Sequence, residues 1–301
     1  MKVFYHNDND GKAAAAILCH YFLGKNMLIT KEDFISVNYN TVVPSADLID
    51  KGETVFIVDY SFTETTVNNL YEISDKSKGN VYWYDHHKSS LEVYDKIIED
   101  KICLDVIIDM DRSGAKIIYD EYGNKATESI IKRMKYESIY MEKVIKLVDD
   151  YDRWIHKYPE SMWFNIGSTL KNTDPFSSIW YENPDSIIEN GKLIKEYSDK
   201  KNSILTKENG YIININNHDC IVLNTPEASS KVFADYFDTY NFAIRYVFNG
   251  TNYSYSIYSQ LKDIDCSKIA KYFNPNGGGH KGAAGFVSDK LLFLNGSKFV
   301  I

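Results

Sequence analysis

Asp85-His86-His87 closes a β-branched and aromatic run, Val81-Tyr82-Trp83-Tyr84, with three groups able to bind a metal ion. Two further apolar runs end in the same way. Val3-Phe4-Tyr5 passes into His6-Asn7-Asp8-Asn9-Asp10-Gly11, and Val55-Phe56-Ile57-Val58 passes into Asp59. Runs of this length and composition read as buried strands, and in an open parallel sheet ligands gather beyond the strands' carboxyl ends. The three ends therefore converge, bringing at least three carboxylates and up to three imidazoles, a donor set suited to divalent cations. Carboxylates about 4 Å apart repel by roughly 4 kcal/mol per pair at an effective dielectric of 20, so such a cluster demands positive charge. Within the first motif His6, Asp8 and Asp10 alternate along an extended segment and project to one side, while Gly11 lets the backbone turn away. Singly, the first motif could be a polar turn and Asp59 a helix cap; three such ends in one chain are not explained that way.

The elements that must position these residues follow from periodicity. Strands are expected over 2–5, 34–37, 54–58, 81–84 and 104–108, with helices over 12–22, 63–73, 114–122 and 127–148, and Ser113 as an N-cap. Strand and helix alternate, which predicts an α/β fold with a doubly wound parallel sheet. Pro159, Pro175 and Pro184 punctuate 158–184, read as an irregular connector, and 187–206 is charged and helix-favouring. Beyond it, strands over 211–215, 220–223, 242–248 and 253–257 with helices over 229–237 and 266–272 form a smaller α/β unit. The expected organisation is a metal-binding domain over 1–157, a connector and linker helix over 158–208, and a substrate-binding domain over 209–301.

Composition sets the outer bounds. The chain has 301 residues, 44% hydrophobic and 25% charged, enough for a large core in two domains. Its 34 Lys and Arg against 42 Asp and Glu give a formal charge of −8, which disfavours holding long duplex nucleic acid by phosphate neutralisation. Cys19, Cys103, Cys220 and Cys266 form no Cys-x-x-Cys pair, so neither a zinc ribbon nor a disulfide framework is indicated. The chain reaches the polar residues 6–10 before a signal-peptide core could form, and no run is long enough to span a membrane. A cytoplasmic protein with no membrane partner is expected, and the sequence is compatible with a homodimer.

A second motif lies near the end, Gly277-Gly278-Gly279-His280-Lys281-Gly282-Ala283-Ala284-Gly285-Phe286. Consecutive glycines allow successive backbone N–H groups to turn toward an anion, and His280 could then grip a phosphate. Taken in order, His6-Asn-Asp-Asn-Asp-Gly, Asp59, Asp85-His-His and Gly-Gly-Gly-His280-x-x-Ala-Ala-Gly-Phe resemble the DHH phosphoesterase superfamily with its DHH-associated C-terminal domain. The likeness covers most of the chain. Tyr5-His6-Asn-Asp-Asn-Asp-Gly and Asp152-Arg153-Trp154 look most similar to the NrnB-type oligoribonucleases and cyclic-nucleotide phosphodiesterases.

That resemblance implies two divalent ions, manganese foremost with magnesium or cobalt as alternatives, bridged by Asp59. His6 and Asp8 would hold one ion, and Asp10, His86 and Asp150 the other, with Asp149 or Asp152 as alternatives for the fourth-motif carboxylate. His87 would contact substrate phosphate and Asp85 would orient a histidine, so that Asp59, Asp85 and His87 carry the catalytic roles. Gly277, Gly278, Gly279, His280 and Ser256 would bind substrate. Many relatives have Ser-x-Arg where this chain has Ser256-Ile257-Tyr258-Ser259, so the usual arginine is missing. The implied activity is two-metal hydrolysis of short RNA or DNA oligonucleotides or cyclic (di)nucleotides to nucleoside monophosphates, with the cleft between the domains as active site. Alternatives are a pyrophosphatase or polyphosphatase, a RecJ-like single-strand exonuclease, and a metal-dependent nucleotide-binding protein without turnover.

Overall fold

A computed structural model of the chain describes residues 1–39, 41–100, 104–135, 139–227, 229–240 and 242–300. Cys103 and residues 136–138 of the helix expected over 127–148 lie outside them. The chain divides into two units, Met1–Ile194 and Lys195–Ile301.

Unit 1 begins β1 (Lys2–His6), α1 (Asn9–Gly24), β2 (Phe34–Val37), β3 (Val55–Val58), α2 (Val67–Ser77), β4 (Val81–Asp85), α3 (Lys88–Glu99) and β5 (Asp105–Ile108). The strands pair in parallel in the order β2-β1-β3-β4-β5. Side chains alternate between two cores, as period two requires. Val3, Phe56, Val58 and Tyr84 pack with the alanine-rich α1, whereas Phe4, Val55, Ile57 and Trp83 pack on the other face with Val67, Leu70 and Ile73 of α2. The order reverses at β1, so the crevice for a ligand lies where β1 and β3 end.

The chain continues as α4 (Gly114–Ile118), α5 (Asn124–Met134), α6 (Met141–Asp152), α7 (Pro159–Ser168) and α8 (Asp185–Asn209). Ser113 caps α4, its hydroxyl accepting from Lys116 N at 3.3 Å. Two expectations are corrected here. In place of one helix over 127–148 there are two, because Lys135 takes a left-handed backbone (φ 56°) and ends α5. The stretch 158–184 is not wholly irregular: Pro159 opens α7 at a position where its missing N–H costs nothing.

Unit 2 takes over within α8. It holds β6 (Tyr211–Ile215), β7 (His218–Asn224), α9 (Phe237–Tyr240), β8 (Phe242–Phe248), β9 (Tyr253–Ser259), α10 (Cys266–Phe273), β10 (Gly278–Gly279), β11 (Ala283–Ser288) and β12 (Lys298–Phe299). These strands form a mixed sheet in the order β10-β11-β9-β8-β7-β6-β12. Among the described residues no helix is long and apolar enough to cross a membrane.

Candidate metal centre

Asp59 is the pivot. Its N–H extends the sheet by donating to the Tyr84 carbonyl at 2.9 Å, after which a left-handed backbone (φ 54°) turns the chain. Such a conformation is uncommon outside glycine and recurs where a side chain must be aimed. Asp59 is 1% exposed, and neither carboxylate oxygen has a hydrogen-bond partner. The two oxygens face different sets. Oδ2 lies 3.6 Å from His6 Nδ1, itself 2.8 Å from Asp8 Oδ2. Oδ1 lies 3.2 Å from His86 Nε2, which is also 3.2 Å from Asp152 Oδ2 and 3.8 Å from Asp10 Oδ2.

His6 Nδ1 and His86 Nε2 are buried and likewise unpartnered, although carboxylate oxygens surround them. His6–Asp8, His86–Asp59 and His86–Asp152 lie at hydrogen-bonding distance without hydrogen-bonding direction, and the 3.6 and 3.8 Å approaches are too long. Atoms that crowd together without bonding have the arrangement of ligands around cations. His6, Asp8 and Asp59 offer one ligand atom each within 4.8 Å, and so do Asp10, His86 and Asp152. Imidazole nitrogen and carboxylate oxygen suit hard or borderline divalent ions rather than soft metals, which prefer thiolate and thioether.

Backbone N–H groups hold Asp8 and Asp10 in place. Asp8 Oδ1 caps α1 by accepting from Gly11 N at 2.9 Å. Gly11 is itself helical; its value is close approach, since a Cβ there would lie 2.3 Å from the His6 carbonyl oxygen. Asp10 accepts from Gly114 N at 2.6 Å and Ala115 N at 3.0 Å, fixing the carboxylate at the start of α4. Any side chain at Gly114 would put its Cβ 2.7 Å from Asp59 Cβ.

The three acidic residues ending α6 divide their work. Asp149 accepts from Ser113 N at 2.8 Å. Asp150, favoured by the resemblance as a ligand, is absent from the cluster: its oxygens accept from Lys157 N (2.9 Å), Tyr158 N (3.2 Å) and Ser161 Oγ (2.6 Å) and hold the start of α7. Asp152 comes to the cluster instead. Two residues on a helix are about 200° apart, so Asp150 and Asp152 face opposite ways. A signal was available in sequence, because the buried stripe Met141, Val144, Ile145, Val148 continues to 152 at the next i+4 step.

Asp85, fully buried, uses Oδ1 for His87 Nδ1 at 2.8 Å and Oδ2 for the Ser90 hydroxyl. It therefore orients His87 and leaves the ring's Nε2 pointing away. The Tyr39 ring, for which sequence held no signal, lies 5.2 Å from His6, stacks on Tyr60 at 5.0 Å and stands 6.4 Å from His87.

Electrostatics agree with the geometry. Burial, then the Asp152 charge, push the Asp10 carboxyl up to about 8, and burial with Asp10 and Asp8 raises Asp59 well above the carboxylate range. Burial raises Asp152 as well, against His86. The Asp59 and Asp8 carboxylates hold His6 up at about 10; Asp8, though burial alone would raise it, is brought down to about 2 chiefly by His6. Cations placed among these groups would let all four carboxylates ionise.

In unit 2 the glycine motif is a hairpin rather than an anion nest. Gly277 N donates to Asn274 O at 2.7 Å, His280 N to Ala283 O at 2.7 Å, and β10 pairs with β11. Gly279 has φ 140° and packs against Ala283 and Ala284, while His280 is exposed at the tip. Gly278 has nothing near its Cβ position. Ser256 on β9 stands in register with Arg245 on β8 and Gly285 on β11. A guanidinium thus occurs beside Ser256, supplied by a neighbouring strand; its Nη1 reaches Thr225 O at 3.4 Å and its buried Nε is unpartnered.

No family model and no curated protein matches the chain. Among solved structures, the pGpG-specific phosphodiesterase PggH from Vibrio cholerae aligns over 96% of this chain and 93% of its own at 15% identity, with a TM-score of 0.53. The chain shares its overall fold with that phosphodiesterase. Exonuclease RecJ bound to manganese (13% identity, 96% and 85% covered, TM-score 0.47) also aligns. So does an exopolyphosphatase-related protein from Bacteroides fragilis (14%, 96% and 87%, TM-score 0.43). Within this fold the residues of Asp85-His86-His87 are placed differently: Asp85 holds the His87 ring, and His86 joins the cluster of candidate ligands around Asp59.

Proposed function

We propose that the protein is a metal-dependent phosphodiesterase that hydrolyses short oligonucleotides or cyclic dinucleotides to nucleoside monophosphates. The observation that carries the reading is the buried Asp59 carboxylate, both oxygens unpartnered and each turned to its own histidine and carboxylates. His6 and Asp8 would hold one divalent ion, Asp10, His86 and Asp152 a second, and Asp59 both. Bound ions would supply charge neutralisation at phosphate oxygens and acidify the attacking water. His87, kept in one orientation by Asp85 and Ser90, presents Nε2 to donate to a phosphate oxygen. The Tyr39 ring packs beside His6. Within unit 2, His280 and Arg245 are proposed as anion-binding groups.

The test offers the protein, with Mn²⁺, pyrophosphate, a dinucleotide, a five-nucleotide RNA, a cyclic dinucleotide and a 3′,5′-cyclic mononucleotide, and identifies the products. Nucleoside monophosphates from a nucleotide diester are expected. Turnover of pyrophosphate alone, or nucleotide binding without turnover, overturns the reading.

A further inference from the structure

Unit 1 contains a cavity of about 260 Å³ bordered by Asp8, Asp10 and Asp152 of the metal cluster. Leu147 and Val148 of α6, with Tyr151 and Phe164, supply apolar walls. Two amides, Asn9 and Asn165, supply the polar lining. None of this apolar wall or amide pair is used by the chemistry proposed for the ions and His87.

The amide orientations are determined by their neighbours. Ser168 Oγ lies 2.8 Å from the Asn165 backbone oxygen and 2.9 Å from Asn9 Nδ2. A carbonyl can only accept, so the hydroxyl gives its one proton there and must itself accept from Asn9. The Asn9 amide also donates to Asn165 Oδ1 at 2.7 Å. Both protons on Asn9 are thereby spent, and the two amides keep for a ligand one acceptor, Asn9 Oδ1, and one donor, Asn165 Nδ2. An acceptor and a donor on the lining of one cavity match the pairing edge of every nucleobase, each of which carries a donor beside an acceptor.

Size narrows the occupant. Sites for drug-sized ligands run from about 300 Å³ upward, so 260 Å³ suits one flat heterocycle rather than a whole dinucleotide. Aromatic walls provide the stacking face that bases use on proteins. We propose that this cavity binds the nucleobase adjoining the scissile phosphate, so that base recognition resides in the metal-bearing unit itself. The proposal rests on the phosphodiesterase reading for its substrate class. It assigns Asn9 and Asn165 to the base edge and Tyr151 to its face.

Two measurements test it. In Asn165→Leu and Tyr151→Ala, the ratio of kcat/KM for a dinucleotide to that for bis-p-nitrophenyl phosphate, which carries no base, should fall at least tenfold with bound Mn²⁺ at the wild-type level. An unchanged ratio in both variants, or a loss of metal that accounts for the fall, overturns the pocket. The second measurement needs no variant protein to fold stably beyond assignment: the side-chain amide NMR signals of Asn9 and Asn165 in the wild type should shift on adding a nucleoside 5′-monophosphate with Mg²⁺, and not with ribose 5-phosphate. Equal shifts with both ligands, or with neither, overturn the base assignment. If those amides respond to the nucleotide alone yet no phosphodiester is hydrolysed, the phosphodiesterase reading fails and the pocket stands; hydrolysis with an unchanged ratio and no selective shift removes the pocket and leaves the phosphodiesterase.

Discussion

Exchanging the charge at Asp150 and at Asp152 should have opposite consequences, although the two residues are neighbours on one helix. Asp150 accepts three hydrogen bonds at the start of α7. Asp150→Asn turns one oxygen into a donor that must confront an N–H or a hydroxyl. Hydrogen bonds to a charged group contribute about 1.5–3 kcal/mol, and the carboxylate's position at a helix N-terminus adds about 0.3–1 kcal/mol, so a loss of about 2–4 kcal/mol is expected. For a unit of the size of Met1–Ile194, about 2–4 °C per kcal/mol gives a fall in Tm of about 5–15 °C. Asp152→Asn removes a charge that burial already disfavours, so the metal-free Tm should stay level or rise. Its metal affinity should drop more than tenfold, since even residues behind metal ligands have effects of about 10–100-fold. Thermal melts with and without chelator, together with metal analysis of the purified proteins, decide the matter. A variant of Asp150 that keeps its Tm but loses metal, alongside an Asp152 variant that keeps metal, would refute the division of roles.

Three further outcomes follow from the same centre. In metal-free protein, Asp10 raised to about 8, Asp59 raised likewise and His6 raised to about 10 all bind protons more tightly folded than unfolded, so Tm should fall as pH rises from 5 to 9; saturating Mn²⁺ should abolish or reverse the slope, and a rising slope without metal would contradict it. Asp59→Asn should lower turnover by orders of magnitude while leaving the metal-free Tm level or higher, because it replaces an unpartnered buried carboxyl whose ionisation burial opposes; activity near wild type would reduce Asp59 to a turn residue. Gly114→Ala should cost about 1–3 kcal/mol by overpacking and weaken metal binding together, since the new methyl meets Asp59 and Asp10; calorimetry showing either effect without the other would separate the helix from the site.

Much of the first unit was legible because its strands are short, apolar and end in ligands. Phe34–Val37 and Val81–Asp85 lie where alternation and composition place them, and Ser113 caps as its type suggests. The three strand ends do meet, since a parallel sheet must carry like ends to one edge. What escaped depended on rotation about an axis or on partners far along the chain. Choosing Asp152 over Asp150 needs the helix phase, and helix α7 was hidden by a proline that starts it. Tyr39 approaches through a loop with no periodicity, and the role of Gly114 exists only because Asp59 and Asp10 stand beside it. Arg245 was missed because its neighbour Ser256 is across the sheet rather than along the strand. The glycine run was read as backbone turned toward an anion, whereas Gly278 and Gly279 pair with Gly285 and Ala284 at the edge of the sheet.

The ligand atoms around Asp59 come from residues 6 to 152, carried by β1, α1, β3, the end of β4 and the last turn of α6. No fragment that stops short of residue 152 contains the whole set. During synthesis, an emerging chain therefore offers isolated carboxylates and imidazoles, weak chelators in competition with water, until α6 has left the ribosome and docked. Ion capture at the proposed centre would then follow the docking of α6 rather than nucleate the sheet, and an occupied centre would certify that distant segments have found one another. A premature stop before Asp152, or failure of α6 to dock, yields a sheet that can form yet cannot retain its ions.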